Sequence, residues 1–70
     1  MNLIDLLNVL DKLPGNKSYI LYSDNIYGEL QFLASTSDGK KHVFNDWLNT
    51  RVSSFEIIGE GEMIEITIFI

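Results

Sequence analysis

The chain has 70 residues, of which 46% are hydrophobic and 21% charged, and its formal net charge at pH 7 is −5. This length fits one small domain with a thin core, and the hydrophobic content excludes a disordered chain. The lack of cysteine excludes disulfides, thiolate metal sites and cysteine nucleophiles, and ten carboxylates against five basic residues argue against binding to a phosphate backbone.

The N-terminal residues predict an amphipathic helix over 2–13. Leucine and valine recur on one face at helical spacing, and Asp5 lies on the opposite face. Asn2 and Asp5 occupy the two positions of a capping box. Pro14 and Gly15 end the helix, because proline disfavours helical angles in the residue before it and glycine accepts the positive φ of a tight turn.

Beyond this turn the hydrophobic period falls from about 3.6 to 2, which is typical of β-strands. In the middle of the chain we expect three strands, at about 18–23, 29–37 and 40–44. Asp38-Gly39 separates the second strand from the third and predicts a tight hairpin, in which Ser35 lies opposite His42.

Residues 40–51 allow two interpretations. Their hydrophobic residues share one helical face, so that a single helix through 42–51 is one possibility. We prefer the strand followed by a short helix at about 45–50, because the Asp-Gly hairpin signal precedes it.

The C-terminal part carries the clearest strand pattern. Strands are expected at about 53–58 and 63–70, on either side of a glycine-containing turn over 59–62. If Ile58 pairs with Met63, one face of this hairpin is apolar and becomes the expected core face, with Phe55, Ile57, Ile64, Ile66, Ile68 and Ile70. The last strand is aggregation-prone, so we expect it in the interior of the sheet or paired across a dimer.

These elements predict an α+β fold in a single small domain over 1–70, with the N-terminal helix packed on a mostly antiparallel sheet of four to five strands. His42 is the only histidine. A pairing of Ser35 with His42 across two strands lacks an oxyanion hole and a nucleophile elbow. We therefore expect no enzymatic activity and no cofactor.

Four carboxylates gather in the C-terminal hairpin and form an acidic cluster: Glu56, Glu60, Glu62 and Glu65. The pairing above sets Glu56 opposite Glu65, which is unfavourable for like charges. Three interpretations stay open. The cluster is a solvated face, a divalent-cation site that lacks the spacing of a dedicated calcium loop, or a recognition surface for a basic partner.

The second face of the same hairpin is apolar at both ends. In the predicted register Val52 lies opposite Phe69 at one end, and Ile58 lies opposite Met63 at the other. If it is exposed, it is a patch that requires a partner. Trp47 is a typical interface residue, but in a chain this short a lone tryptophan more often closes one end of the core. The candidate interaction surface comprises Glu56, Glu60, Glu62, Glu65, Met63, Phe69 and Trp47.

The opening LIDLLNVLDKLPGNKSYILY resembles small uncharacterised proteins of phages and mobile elements from low-GC Gram-positive bacteria. The likeness covers about the first twenty residues. It implies an accessory protein, of a kind that often binds and inhibits host proteins.

We therefore expect a non-enzymatic interaction module that binds a host protein or itself. The alternative is an acidic inhibitor that mimics nucleic acid and occupies a DNA- or RNA-binding protein. The N-terminus lacks the basic region of a signal peptide, and no apolar run approaches a membrane span. A cytoplasmic location, no membrane contact and no direct nucleic-acid binding are expected.

Overall fold

The computed structural model describes residues 1–24, 27–36, 41–60 and 62–70. The elements in these ranges are α1 (Leu3–Leu10), β1 (Asn16–Asp24), β2 (Leu30–Thr36), a 3₁₀-helix (Lys41–Trp47), β3 (Ser54–Glu60) and β4 (Met63–Phe69). The strands form one sheet in the order β2-β1-β4-β3. One short helix and a four-stranded sheet make this an α+β protein.

α1 begins at Leu3 because other parts of the chain satisfy the N–H groups of its first turn. Leu3 and Ile4 donate to the carbonyl oxygens of Thr50 and Leu48, each at 2.9 Å. The Asp5 carboxylate accepts the N–H of the N-cap residue at 3.2 Å, which is the acidic half of the predicted capping box. The chain between the 3₁₀-helix and β3 therefore holds the start of α1.

The helix is shorter than the predicted 2–13 and ends at Leu10. The N–H of Leu13 donates to the carbonyl of Leu10, which is the tighter hydrogen bond of a 3₁₀ turn. Pro14 pushes Leu13 away from helical angles. Gly15 has a φ of +99°, so the positive φ that the sequence predicted at this turn is present.

The sheet is mixed. β1 pairs antiparallel with β2 and parallel with β4, and β4 pairs antiparallel with β3. β4 thus has a neighbour on each side, which is the interior position expected for the aggregation-prone last strand.

The strand predicted at about 40–44 is wrong over the described residues 41–44, and the short helix predicted at about 45–50 begins earlier in the chain. The chain forms a 3₁₀-helix over Lys41–Trp47 instead. Phe44 is buried in the core, where its ring meets that of Tyr19 edge-to-face at a centroid distance of 6.3 Å. Helical spacing prevails because it brings Phe44 and its apolar neighbours to the core together.

Because the predicted strand at 40–44 is not formed, β2 pairs with β1, and Ser35 lies opposite Ile20. The predicted pairing of Ser35 with His42 does not form, since His42 lies in the 3₁₀-helix. The Asp38-Gly39 turn lies outside the described residues.

The register predicted for the C-terminal hairpin is wrong by two residues. The observed pairs include Glu60 with Met63, Ile58 with Glu65 and Glu56 with Thr67. Because the shift is even, every side chain keeps its predicted face. Glu56 and Glu65 are no longer directly opposite each other, which removes the like-charge pair. Gly61, in the predicted turn, lies outside the described residues.

One hydrophobic cluster contains all the side chains that are buried among the described residues: Leu3, Leu6, Leu7, Leu10, Tyr19, Leu21, Phe44, Ile66 and Ile68. Val9 and Leu13, which the helical pattern also placed on the apolar face, are exposed. Phe55 and Ile57 lie on the core side of β3 as predicted, but they stay about half exposed because β3 is an edge strand.

A matched pair of substitutions tests which side of the sheet is the core. Ile66→Val should lower the free energy of unfolding by about 0.5–1.5 kcal/mol, because Ile66 is fully buried. Ile58→Val makes the same chemical change at a side chain that is 58% exposed. It should change stability by less than about 0.5 kcal/mol. Urea unfolding at low protein concentration measures both, and equal losses would contradict the assignment.

Candidate functional site

The side of the sheet that faces away from the hydrophobic cluster is called the open face. Side chains alternate along each strand, so the neighbours of the buried strand residues point to this side. By register, the open face includes Leu30, Phe32 and Ser35 of β2, Asn16, Ser18, Ile20, Tyr22 and Asp24 of β1, Met63, Glu65, Thr67 and Phe69 of β4, and Ser54, Glu56 and Ile58 of β3.

Three rings form an aromatic row across the open face, one from each of three adjacent strands. Tyr22 stacks on Phe69 at a centroid distance of 5.9 Å and 19° between ring planes. On its other side it meets Phe32 edge-to-face at 6.1 Å and 76°. Both arrangements are favoured for aromatic pairs, so the row is an ordered surface feature.

A β-bulge places Phe32 in this row. The β1–β2 register shifts between Leu21 and Tyr22, so that Leu21 pairs with Ala34 and Tyr22 pairs with Phe32. Leu33 is the extra residue, and it packs against the core. Without the bulge, Phe32 would point to the core side.

The row is part of a larger exposed apolar surface. Phe32 is 56% exposed and Leu30, next to it in β2, is 55% exposed. At the other end of the open face Ile58 and Met63 are about half exposed. Large apolar side chains gathered on one side of a small protein mark an interaction surface more often than a solvated one.

The charges on the open face are all negative in the described part of the chain. Asp24, Glu56 and Glu65 occupy outward positions of the sheet. Lys17 lies at a core-side position of β1, with its Nζ 3.4 Å from the carbonyl oxygen of Gly15. The two other basic side chains described, Lys12 and Arg51, lie outside the strands.

The acidic cluster is only partly brought together. Glu56 and Glu65 are diagonal neighbours on the open face, and Glu62 lies exposed beyond the end of β3. The side chain of Glu60 lies outside the described part of the chain. Among the described residues, no three histidine or acidic side chains are grouped so that they could hold a metal ion. The divalent-cation interpretation therefore gains no support.

The other candidate residues divide between the two sides of the sheet. Met63 and Phe69 lie on the open face, whereas Trp47 and Val52 are half buried and pack against the core. Trp47 thus closes the core, the second of its two interpretations. His42 is exposed on the 3₁₀-helix.

Two residues of the site, Tyr22 and Phe32, were missing from the sequence-based candidates. Tyr22 alternates with the buried Tyr19 and Leu21, so its outward direction was readable once β1 was known. Phe32 was not readable, because simple alternation puts it on the same face as Ala34 and the bulge separates them.

Comparison of the chain with protein-family models, with curated proteins and with solved structures finds no match. Among the helices of the described residues, none has the length and apolar character to cross a bilayer. The function is therefore argued from the open face itself.

Tyr19, in contrast to Tyr22, belongs to the core. Its ring is almost fully buried, and its hydroxyl donates to Oδ1 of Asp11 at 3.3 Å. Burial raises the pKa of the Tyr19 phenol above its ordinary value. The fold therefore favours the neutral phenol.

This shift predicts a loss of stability in alkali. The neutral Tyr19 phenol contributes to the stability of the folded state. This contribution is complete below the pKa that Tyr19 has in the unfolded chain, about 10, and it is lost as the pH rises through the higher pKa of the folded state. Tyr19→Phe should reduce the alkaline fall in unfolding free energy. Tyr27→Phe, at a ring that is 81% exposed, should retain it. Urea unfolding across about pH 8 to 11 checks this, and identical slopes for the two variants would contradict it.

Proposed function

We propose that this chain is a small non-enzymatic protein-interaction module and that the open face is its binding surface. The observation that carries the proposal is the aromatic row of Phe32, Tyr22 and Phe69, which lies on the outward side of the sheet beside carboxylates. The leucines of α1 and Phe44 of the 3₁₀-helix share one hydrophobic cluster with the inward residues of β1 and β4, so the outward side of the sheet is the side that we assign to a partner.

The chemistry of the open face selects a partner segment that combines cationic and apolar side chains. An arginine can stack on an aromatic ring and pair with a neighbouring carboxylate, and Asp24 lies two residues along β1 from Tyr22 on the same face. Glu65 lies four residues from Phe69 on the same face of β4, so an extended segment along the strand can contact both. Leu30 and Met63 extend the apolar surface on either side. Aromatic and arginine contacts are also the typical energetic centre of protein interfaces.

The N-terminal resemblance supports the biological setting of this proposal. It favours an accessory protein of a phage or mobile element that acts in the cytoplasm of a host cell and binds a host protein. An arginine-bearing surface on such a protein is the partner that the open face fits.

Mimicry of nucleic acid finds less support. A mimic needs one continuous row of carboxylates, whereas the described acids lie on several sides of the molecule. Asp5 caps α1 and Asp11 accepts from Tyr19, so both are placed by the helix rather than by the open face. On the open face, Glu56 and Glu65 are diagonal neighbours, but Tyr22 and Phe69 separate them from Asp24.

A synthetic peptide of alternating arginine and leucine tests the proposal. Its addition to the ¹⁵N-labelled protein should shift the amide resonances of the central strands around Tyr22 and Phe69. Glu65→Lys should weaken peptide binding about fivefold, since an exposed charged contact of ~1 kcal/mol corresponds to that factor. Asp46→Lys changes the net charge equally, on the 3₁₀-helix, and should have a smaller effect.

A second pair isolates the aromatic contribution. Phe32→Ala should weaken the same peptide severalfold, because it removes one end of the aromatic row. Val9→Ala, at a side chain of similar exposure on α1, should leave binding unchanged. Shifts confined to α1 or the 3₁₀-helix, or equal effects of both members of a pair, would overturn the assignment to the open face.

A further inference from the structure

β3 is an edge of the sheet, and its hydrogen-bonding direction follows from that of β4. Ile70, just beyond β4, donates its N–H to the carbonyl of Tyr22 and accepts the N–H of Asp24. Its backbone hydrogen bonds are therefore made with β1. Alternate residues of a strand bond to the same side, so Ile66 and Ile68 also bond toward β1. Their odd-numbered neighbours in β4 therefore bond toward β3.

The odd-numbered residues of β4 pair with even-numbered residues of β3, as Thr67 does with Glu56. The N–H and carbonyl groups of the residues between them point away from the sheet. These residues are Phe55, Ile57 and Gly59. The strand thus presents a row of backbone donors and acceptors that has no neighbouring strand in the described part of the chain.

This edge lacks most of the features that usually prevent pairing, and the charged residues within it are two glutamates. Its sequence, Ser54–Glu60, contains no proline or lysine, and its pairing with β4 has no bulge. Phe55 and Ile57, on the core side of the strand, are 43% and 47% exposed, and Ile58, on the open face, is 58% exposed. The opposite edge differs, because β2 is bulged and lies next to the 3₁₀-helix.

We propose that β3 pairs antiparallel with β3 of a second copy of this chain, about a twofold axis that passes through Ile57. Each Ile57 then lies opposite the Ile57 of the other copy, and the two sheets become one continuous sheet. The free backbone groups of the three odd-numbered residues form about six hydrogen bonds, two for each pair.

Repulsion between glutamates favours this register over the one with the axis at Glu56. A twofold axis through Glu56 would set two glutamates opposite each other in a close, non-hydrogen-bonded pair, where like charges are unfavourable. With the axis at Ile57, Glu56 lies opposite Ile58 of the second copy. The two Glu56 carboxylates are then moved apart along the strands.

The shape of the strand selects the same register. With the axis at Ile57, Phe55 lies opposite Gly59 of the second copy, on the core side of the sheet. A Cβ at Gly59 would lie 3.8 Å from Cγ1 of Ile64, which confirms that this side of Gly59 is the core side. Gly59 has no side chain there, so the ring of Phe55 can cover it, as aromatic residues do beside strand glycines.

This inference goes beyond the proposed function, because it concerns the strand edge and leaves the open face free. In the dimer the open faces of both copies lie on the same side of the continuous sheet. Loss of the dimer would leave the peptide contacts at Glu65 and Phe32 in place, so the two proposals fail separately.

Sedimentation equilibrium over a concentration series tests the dimer. The unmodified chain should approach twice the 8.0 kDa mass of one copy as concentration rises. Ile57→Lys should weaken dimerisation at least tenfold, because two lysines then meet at the axis. Ile58→Lys should retain or strengthen the dimer, because the new lysine lies opposite Glu56 of the second copy.

A second measurement tests the register and does not depend on any variant being folded. In a mixture of isotope-labelled and unlabelled chains, the filtered NOE spectrum should contain a contact between the Hα atoms of Glu56 and Ile58 of different copies. This contact arises because the two residues form a close, non-hydrogen-bonded pair in the proposed register.

Three results would overturn the proposal. The first is a monomer at all concentrations up to the millimolar range. The second is a dimer that folded Ile57→Lys leaves intact, and the third is a dimer without the Glu56–Ile58 contact.

Discussion

The parallel pairing of β1 with β4 is the interaction on which the rest of the molecule depends. These two central strands carry every fully buried strand residue, Tyr19 and Leu21 from one and Ile66 and Ile68 from the other. The buried residues of these strands and the leucines of α1 form one hydrophobic cluster on one side of this ladder. The other side stays outward, and its aromatic row exists because Tyr22 and Phe69 are neighbours in the same ladder.

Much of the fold could be predicted from the sequence because its signals are local. Leucine spacing and Pro14-Gly15 located α1 and its end within a few residues, and alternation gave the correct core face of the C-terminal hairpin. The hairpin register could not be predicted, since an even shift leaves the faces unchanged. The segment 40–51 was ambiguous because Phe44 fits a core-facing position in either a strand or a helix, and only its contact with Tyr19 decides.

The candidate site divides in the same way. Met63, Phe69 and the two glutamates of the open face followed from alternation along β3 and β4. The aromatic row as a whole could not be predicted, because it requires the parallel ladder and the bulge that turns Phe32 outward. Both features depend on contacts between residues that are distant in the sequence, so local residue patterns do not predict them.

The hydrogen bonds from the start of α1 to Leu48 and Thr50 bear on how the chain folds. A helix of this length, Leu3–Leu10, is too short to persist in water by itself. Its first turn is completed by residues that come much later in the chain. α1 is therefore not a nucleus that forms early and waits for the sheet. We therefore expect the helix, the segment after the 3₁₀-helix and the central ladder to form together as one cooperative unit.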